Sequence, residues 1–256
     1  MEPKCLPVYI TGIGAVTPVA TGVDKMFDAL CKGENGIREI PEWKKAGFPV
    51  STGGLVQDRH IFEQEQEIYD FYKSRKAVFA VTALREAFEK AGGAEAFRCD
   101  RGGIFLGVET GRIDIQKLFR MFLQSGTPTC LDSRKFGISS FHYLTPGESL
   151  SKQPFFIPSL LGRVFGISGE ARSISNACSS ANQAIGEAFR KIASGALDWA
   201  IVGGSDDMVD EYMAIGFHLL GALATGMPAD SLSRPFDSKR RGFVLGESTL
   251  LFSKSL

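Results

Sequence analysis

Apolar residues along this chain fall into two patterns that alternate. Short unbroken runs read as buried strands, and longer stripes at helical spacing read as amphipathic helices. The first run, Val8-Tyr9-Ile10-Thr11-Gly12-Ile13-Gly14-Ala15-Val16, is rich in β-branched residues and lies between Pro7 and Pro18. Its glycines allow another backbone to come close. Further runs occupy 103–108, 171–175 and 199–204, and 242–246 with 249–252 reads as one strand interrupted near Glu247. Between them lie the stripes. Val23, Met26, Phe27 and Leu30 follow a Thr21 cap and stop at Gly33. Ser74 caps a helix with Ala77, Val78, Val81, Leu84, Ala87, Phe88 and Ala91 on one face, ended by Gly92-Gly93. A helix over 113–123 carries Ile115, Leu118, Phe119, Phe122 and Leu123, Ser159 caps a short helix, and 178–194 carries Ala181, Ile185, Ala188, Phe189 and Ile192 up to Gly195. Residues 34–60 lack periodicity and are expected to form a long loop. Residues 125–154, broken by Pro128, Pro146 and Pro154, are expected to be irregular. Continuous apolar strands alternating with helices predict an α/β domain with a mixed, mainly parallel five-stranded sheet covered by helices on both faces.

Composition narrows the function classes. The chain has 256 residues, 44% of them hydrophobic, which suits a soluble globular protein with a sizeable core. Lys plus Arg and Asp plus Glu both number 29, so the balance points to no nucleic acid and no anionic membrane as partner. No apolar run approaches the ~20 residues of a membrane helix, and the N-terminus lacks the pattern of a signal peptide. The five cysteines, Cys5, Cys31, Cys99, Cys130 and Cys178, are scattered without metal-ligand spacing, which points to free thiols, no metal and a reducing, cytoplasmic setting.

In such a setting a cysteine is either inert packing or a reactive thiol, and Cys178 is the candidate. It lies where a buried strand gives way to a helix, so the positive end of the helix dipole and unpaired N–H groups favour the thiolate. Its neighbours Ala177, Ser179, Ser180 and Ala181 are small and leave room for a bulky group. Local physics leaves the alternative open, a buried cysteine filling a gap beside small residues. Cys31 sits at a helix end where the dipole has the wrong sign, and the other thiols have no fixed positive neighbour. Lys73, Arg75 and Lys76 cluster at a helix N-terminus, where positive charge is mildly unfavourable. Docking of an acidic partner would explain them, and so would a solvated helix end.

Three segments carry a family resemblance: VYITGIGAVTPVATGVDKMFDALCKGENGI, FFIPSLLGRVFGISGEARSISNACSSANQAIGEAFRKIASGALDWAIVGGSDD and LSRPFDSKRRGFVLGES. In order and spacing they resemble the N-terminal half of β-ketoacyl synthases of the thiolase-like superfamily. The resemblance spans most of residues 1–256 and is poor over 113–154, which reads as a flap or insertion. It implies that Cys178 accepts an acyl group from an acyl carrier protein, its backbone N–H forming half of an oxyanion hole. The held acyl group then undergoes decarboxylative Claisen condensation with a malonyl-carrier thioester, in fatty acid or polyketide synthesis. It implies acyl-pocket roles for Phe217 and Thr110, either of which can equally be a core residue. Carrier-protein docking at Lys73, Arg75 and Lys76 fits the same picture, and no cofactor is called for. The strand at 172–175 falls on the family's dimer contact, which implies a homodimer or a heterodimer with a synthase subunit.

The departures are as informative. Family members draw two catalytic histidines from a second half, whereas His60, His142 and His218 sit in no such motif. The expectation is therefore an enzyme part whose C-terminal half supplies those groups. The competing expectations are a non-catalytic partner like the chain-length factors, which usually lack the nucleophilic cysteine, or an acyl-holding module. Arg241 and Ser248 replace a usual acidic residue and a usual glycine, which bears on local packing more than on the nucleophile.

Overall fold

In the computed structural model, which describes residues 6–97, 101–127, 129–226 and 228–255, five strands form one sheet. They are β1 (Tyr9–Val16), β2 (Gly102–Gly107), β3 (Glu170–Ile174), β4 (Trp199–Asp207) and β5 (Glu247–Ser255), in spatial order β1-β5-β4-β2-β3. β4 pairs in parallel with β2, and β2 with β3, while β5 runs against both β1 and β4. Four strands thus point one way and only β5 opposes them, the mixed and mainly parallel sheet expected from the sequence.

Helices cover both faces. Helix α1 (Val23–Cys31) leads from β1, and α2 (Arg75–Lys90) lies across β1 and β5. Its approach is as close as backbones permit: a Cβ added at Gly12 or Gly14 would fall 2.0 Å from the Ala87 carbonyl oxygen or 1.8 Å from that of Ala83. The glycines of the first apolar run therefore meet the α2 backbone at Ala87, a residue of the expected stripe, and at Ala83 beside it. The next helices are α3 (Ile115–Gln124), α4 (Ser133–Tyr143), α5 (Phe156–Phe165), α6 (Ser180–Ala193) and α7 (Glu211–Leu219). The pleat of β2 sorts the core into two layers. Ile104 and Leu106 pack with Leu160 and Leu161 of α5 and with the buried face of α2, whereas Phe105 turns to the other side against Ala184, Ala188 and Ile192 of α6. Each such buried large side chain contributes about 1.5–3 kcal/mol relative to exposure. A third cluster, Ile40, Trp43, Val50, Ala214, Leu223 and Leu245, ties α7 to the segment after α1.

Two stretches expected to be irregular are ordered. Residues 34–60 contain an antiparallel pair, Ile37–Glu39 with Thr52–Gly54, flanking the helix Pro41–Lys45. Residues 125–154 hold α4 and the helix Pro146–Ser151. Only the second starts at a proline: Pro146 is its first helical residue, with Thr145 and Glu148 forming a capping box, whereas the Asp132 side chain caps α4. The strand expected at 242–246 does not form; Phe243 makes only an isolated bridge to Leu223, and β5 begins at Glu247. Among the described residues no helix is long and apolar enough to cross a membrane, and no group of His, Cys, Asp or Glu could hold a metal ion.

A candidate thiol site at the carboxyl end of the sheet

Because β1, β2, β3 and β4 are co-oriented, their carboxyl ends share one edge of the molecule, the edge where open α/β sheets place ligand sites. Cys178 lies there, in the turn from β3 to α6. The helix starts at Ser180, two residues later than the apolar stripe implied, so Cys178 precedes the first turn and is exposed. Ala177 holds φ +49°, a left-handed conformation that costs a non-glycine residue about 1–2 kcal/mol. The turn is pinned by hydrogen bonds. The Ser180 hydroxyl accepts from the Asn176 N–H at 2.7 Å and donates to the Ala177 carbonyl at 2.7 Å, and the Ser179 hydroxyl donates to the Asn176 carbonyl at 2.9 Å. The thiol is therefore presented on a constrained, solvent-facing turn at the positive end of a 14-residue helix.

Helix α6 is seated on two small residues. A Cβ at Gly107 would lie 2.3 Å from the Ala181 backbone nitrogen, and one at Gly204 would lie 3.1 Å from the Ala181 Cβ. Gly107 and Gly204 are register partners on β2 and β4, so the first turn of α6 rests over the carboxyl ends of both strands. This contact fixes the height of Cys178 above the sheet.

The remaining thiols do not share this placement. Cys31 is the last residue of α1 and Cys130 lies in a two-residue strand, both exposed, while Cys5 and Cys99 fall outside the described residues. Thr110 follows β2 at the same sheet edge, where its N–H and hydroxyl both donate to the Glu109 carboxylate. Phe217, on α7, is half-buried and packs edge-to-face on Phe243 with centroids 5.1 Å apart, in the third core cluster rather than the one beneath α6. His60 lies beside Glu63 on the helix Arg59–Gln64, and His142 and His218 are exposed in the last turns of α4 and α7.

The proposed cationic docking group separates. Lys73 is exposed and pairs with Asp70 at 2.9 Å. Arg75 turns inward and grips the buried Glu247 carboxylate with two 2.7 Å hydrogen bonds while also donating to the Val56 carbonyl. Lys76 is only 2% exposed, its ammonium donating to the Glu109 carbonyl between Asp206 and Asp207. Lys76 is thus withdrawn from any docking surface, since a buried ammonium held by carboxylates cannot meet an incoming protein.

Instead, Lys76 and Arg75 line a charged cavity of about 420 Å³ beside the sheet edge, together with Arg112, Lys152, Asp207 and Asp210. Burial opposes the charge on Arg112, but Asp210 at 2.5 Å and Asp207 outweigh it and hold the guanidinium above its ordinary value. Burial pushes the Asp207 carboxyl up despite Lys76, and burial pulls the Lys152 ammonium down. The sequence reading missed this cluster. One signal for it was available: Lys76 falls in line with Ala80, Ala83 and Ala87 on the apolar face of α2.

The family model described as Beta-ketoacyl synthase, N-terminal domain, matches residues 6–255. The 3-oxoacyl-(acyl-carrier-protein) synthase 2 of Coxiella burnetii (strain RSA 493 / Nine Mile phase I) is 31% identical over 256 residues, covering 94% of this chain and 55% of the relative. The crystal structure of a β-ketoacyl synthase from Burkholderia phymatum STM815 superposes with a TM-score of 0.77 at 26% identity, over 97% of this chain and 58% of that one. The ishigamide ketosynthase/chain length factor gives 0.75 at 25% identity, over 97% and 58%. The chain spans about half the length of the curated relatives it matches.

Proposed function

The chain belongs to the β-ketoacyl synthase family, matching its N-terminal domain over residues 6–255, and on that premise we propose that Cys178 is an acyl-accepting nucleophile. The observation that carries the reading is the exposed thiol on a constrained turn at the amino end of α6. In the first step the Cys178 thiolate attacks the carbonyl carbon of a carrier-protein thioester. The sulfur–carbon bond to Cys178 forms, the bond to the carrier sulfur breaks, and the departing carrier thiolate takes from solvent a proton equivalent to the one the Cys178 thiol released on ionising. Backbone N–H groups around the turn are suited to stabilise the oxyanion in between, a contribution of about 3–4 kcal/mol per donor in other acyl-transfer enzymes. In the second step a malonyl-carrier thioester loses carbon dioxide, and its carbanion displaces Cys178 from the acyl carbonyl to give the β-ketoacyl product.

That second step needs groups that polarise the malonyl carbonyl. We assign those to the portion of such proteins that this chain does not span, since it covers 55% of its Coxiella burnetii relative. The proposed partners are an acyl carrier protein and a second synthase subunit. The outer edge of β3 has no strand beside it among the described residues, and its Ala171 and Arg172 are exposed, which suits edge-to-edge pairing with another copy. Carrier docking retains Lys73 as its candidate, with Arg75 and Lys76 engaged in the fold.

A radiolabelled acyl thioester of N-acetylcysteamine tests the first step. The protein is expected to retain label stable to denaturation, and Cys178→Ala is expected to lose it. Equal labelling of both would refute the nucleophile. The likeness to a ketosynthase/chain length factor pair favours a second reading, a non-catalytic partner. Label held at Cys178 without carbon dioxide release from malonyl-carrier, when the partner chain is supplied, would support an acyl-holding module instead.

A further inference from the structure

We propose that Ser180 is a positioning residue that fixes the Cys178 turn for acyl transfer, an inference that rests on Cys178 being the nucleophile. The chain between β3 and α6 must reverse direction in five residues, 175–179, and it does so by placing Ala177 at φ +49°. A residue with a Cβ stays in that conformation only where its surroundings over-determine it. Ser180 does this. Its hydroxyl has one proton and two lone pairs, so it can donate to the Ala177 carbonyl and accept from the Asn176 N–H at once. Both bonds are 2.7 Å long, and the residue is 8% exposed, so water competes poorly for either partner. The two backbone groups it holds flank the peptide that enters Ala177, immediately before the thiol.

Ser179 plays a different part. Its hydroxyl donates to the Asn176 carbonyl at 2.9 Å, where its own N–H already points at 3.3 Å, so it only duplicates a bond the backbone makes. The Ser180 N–H likewise reaches the Ala177 carbonyl at 3.1 Å, so what the Ser180 hydroxyl alone supplies is the acceptor for the Asn176 N–H. The Asn176 N–H has its partner in the Ser180 hydroxyl. Without that hydroxyl the Asn176 N–H loses its partner and the Ala177 carbonyl keeps only the Ser180 N–H, so the strained Ala177 is less firmly held and the Cys178 that follows it can shift.

Two reactions separate positioning from general stability. Acyl transfer from a thioester needs the sulfur aligned with oxyanion donors, whereas alkylation by iodoacetamide needs only an exposed thiol. Ser180→Ala is expected to slow acyl transfer at Cys178 at least ~10-fold while alkylation stays within about 2-fold and the melting temperature changes little. Ser180→Thr, which keeps the hydroxyl, is expected to restore acyl transfer. Acyl transfer by Ser180→Ala at the wild-type rate would overturn the inference. So would parallel loss of both reactions with a lowered melting temperature, which marks a purely structural role. Should Ser180→Ala not fold, Ser180→Thr against Ser180→Val carries the same comparison, because the two side chains have nearly the same shape and differ in the hydroxyl. If wild type and Cys178→Ala hold equal label, the nucleophile reading falls and this one with it. If wild type labels at Cys178 and Ser180→Ala labels as fast, only the role of Ser180 falls.

Discussion

Replacing Gly107 by alanine tests whether the seat of α6 sets the position of the thiol. The added Cβ would stand 2.3 Å from the Ala181 nitrogen and 2.6 Å from the Ser180 carbonyl carbon, whereas ordinary contact begins at 3.4 Å. These are backbone atoms of the first turn of α6, so no side chain can swing aside, and the helix must retreat by about 1 Å. Overpacking of this kind costs about 1–3 kcal/mol. For a chain of this size that corresponds to a fall of about 2–12 °C in Tm. A displacement of about 1 Å at a reacting group can cost on the order of 10²-fold in rate, so acyl transfer is expected to suffer more than stability. The assays are thermal denaturation and the rate of acyl transfer to Cys178. Gly137→Ala is the control: it lies inside α4 with nothing within 4 Å of the added carbon, and it is expected to stabilise by about 0.5–1 kcal/mol. If Gly107→Ala melts with the wild type and transfers acyl groups at the same rate, α6 is not held rigidly on the sheet and the account of Cys178 placement is wrong.

Two further outcomes follow from buried charge. Glu247 is 2% exposed and accepts bonds from Arg75 and the Val56 N–H, so Glu247→Ala strands both and is expected to destabilise by about 3 kcal/mol in denaturant titration, the low end for a broken buried pair because Arg75 reaches solvent. The double variant with Arg75→Met is expected to regain most of that loss, and no recovery would show the pair is not the cause. Burial pushes the Glu148 carboxyl up, but Lys117 and the Thr145 cap outweigh it and hold it below the ordinary carboxylate value. Its folded value is thus below its unfolded one, so the contribution to stability is present at neutral pH and lost as pH falls through the acid range. Glu148→Gln is expected to destabilise at neutral pH and to converge with wild type in acid, as read from stability against pH; an equal difference at every pH would sink the assignment.

Much of the fold was legible because its main constraints are local. The apolar runs, the glycines at 12 and 14 and the α2 stripe each carry their own signal, and the structure joins them in a single contact. The segment 34–60 was not legible because its order comes from partners distant in sequence. Ile40, Trp43 and Val50 pack on Ala214, Leu223 and Leu245, which no local period can announce. At 125–154 the prolines were read as breakers when Pro146 starts a helix, a case where the same residue type ends one element and opens another. At 242–246 the apolar run proved to be packing residues of the third cluster, Leu245 among them, rather than sheet.

The site divides along the same line. Cys178 could be singled out from neighbours in sequence, because strand, small residues and helix adjoin it. Its detailed placement could not, since that depends on Gly107 and Gly204 from other strands and on where the helix begins. Lys76 shows the cost of reading charge without phase. Grouped by sequence with Lys73 and Arg75, it looks like surface; placed on the helical wheel with Ala80, Ala83 and Ala87, it is buried, and burial obliges it to find the Glu109 carbonyl and the Asp206–Asp207 pair. Those acids follow the last apolar residues of β4, so the ion cluster and the thiol are delivered to one sheet edge by co-oriented strands.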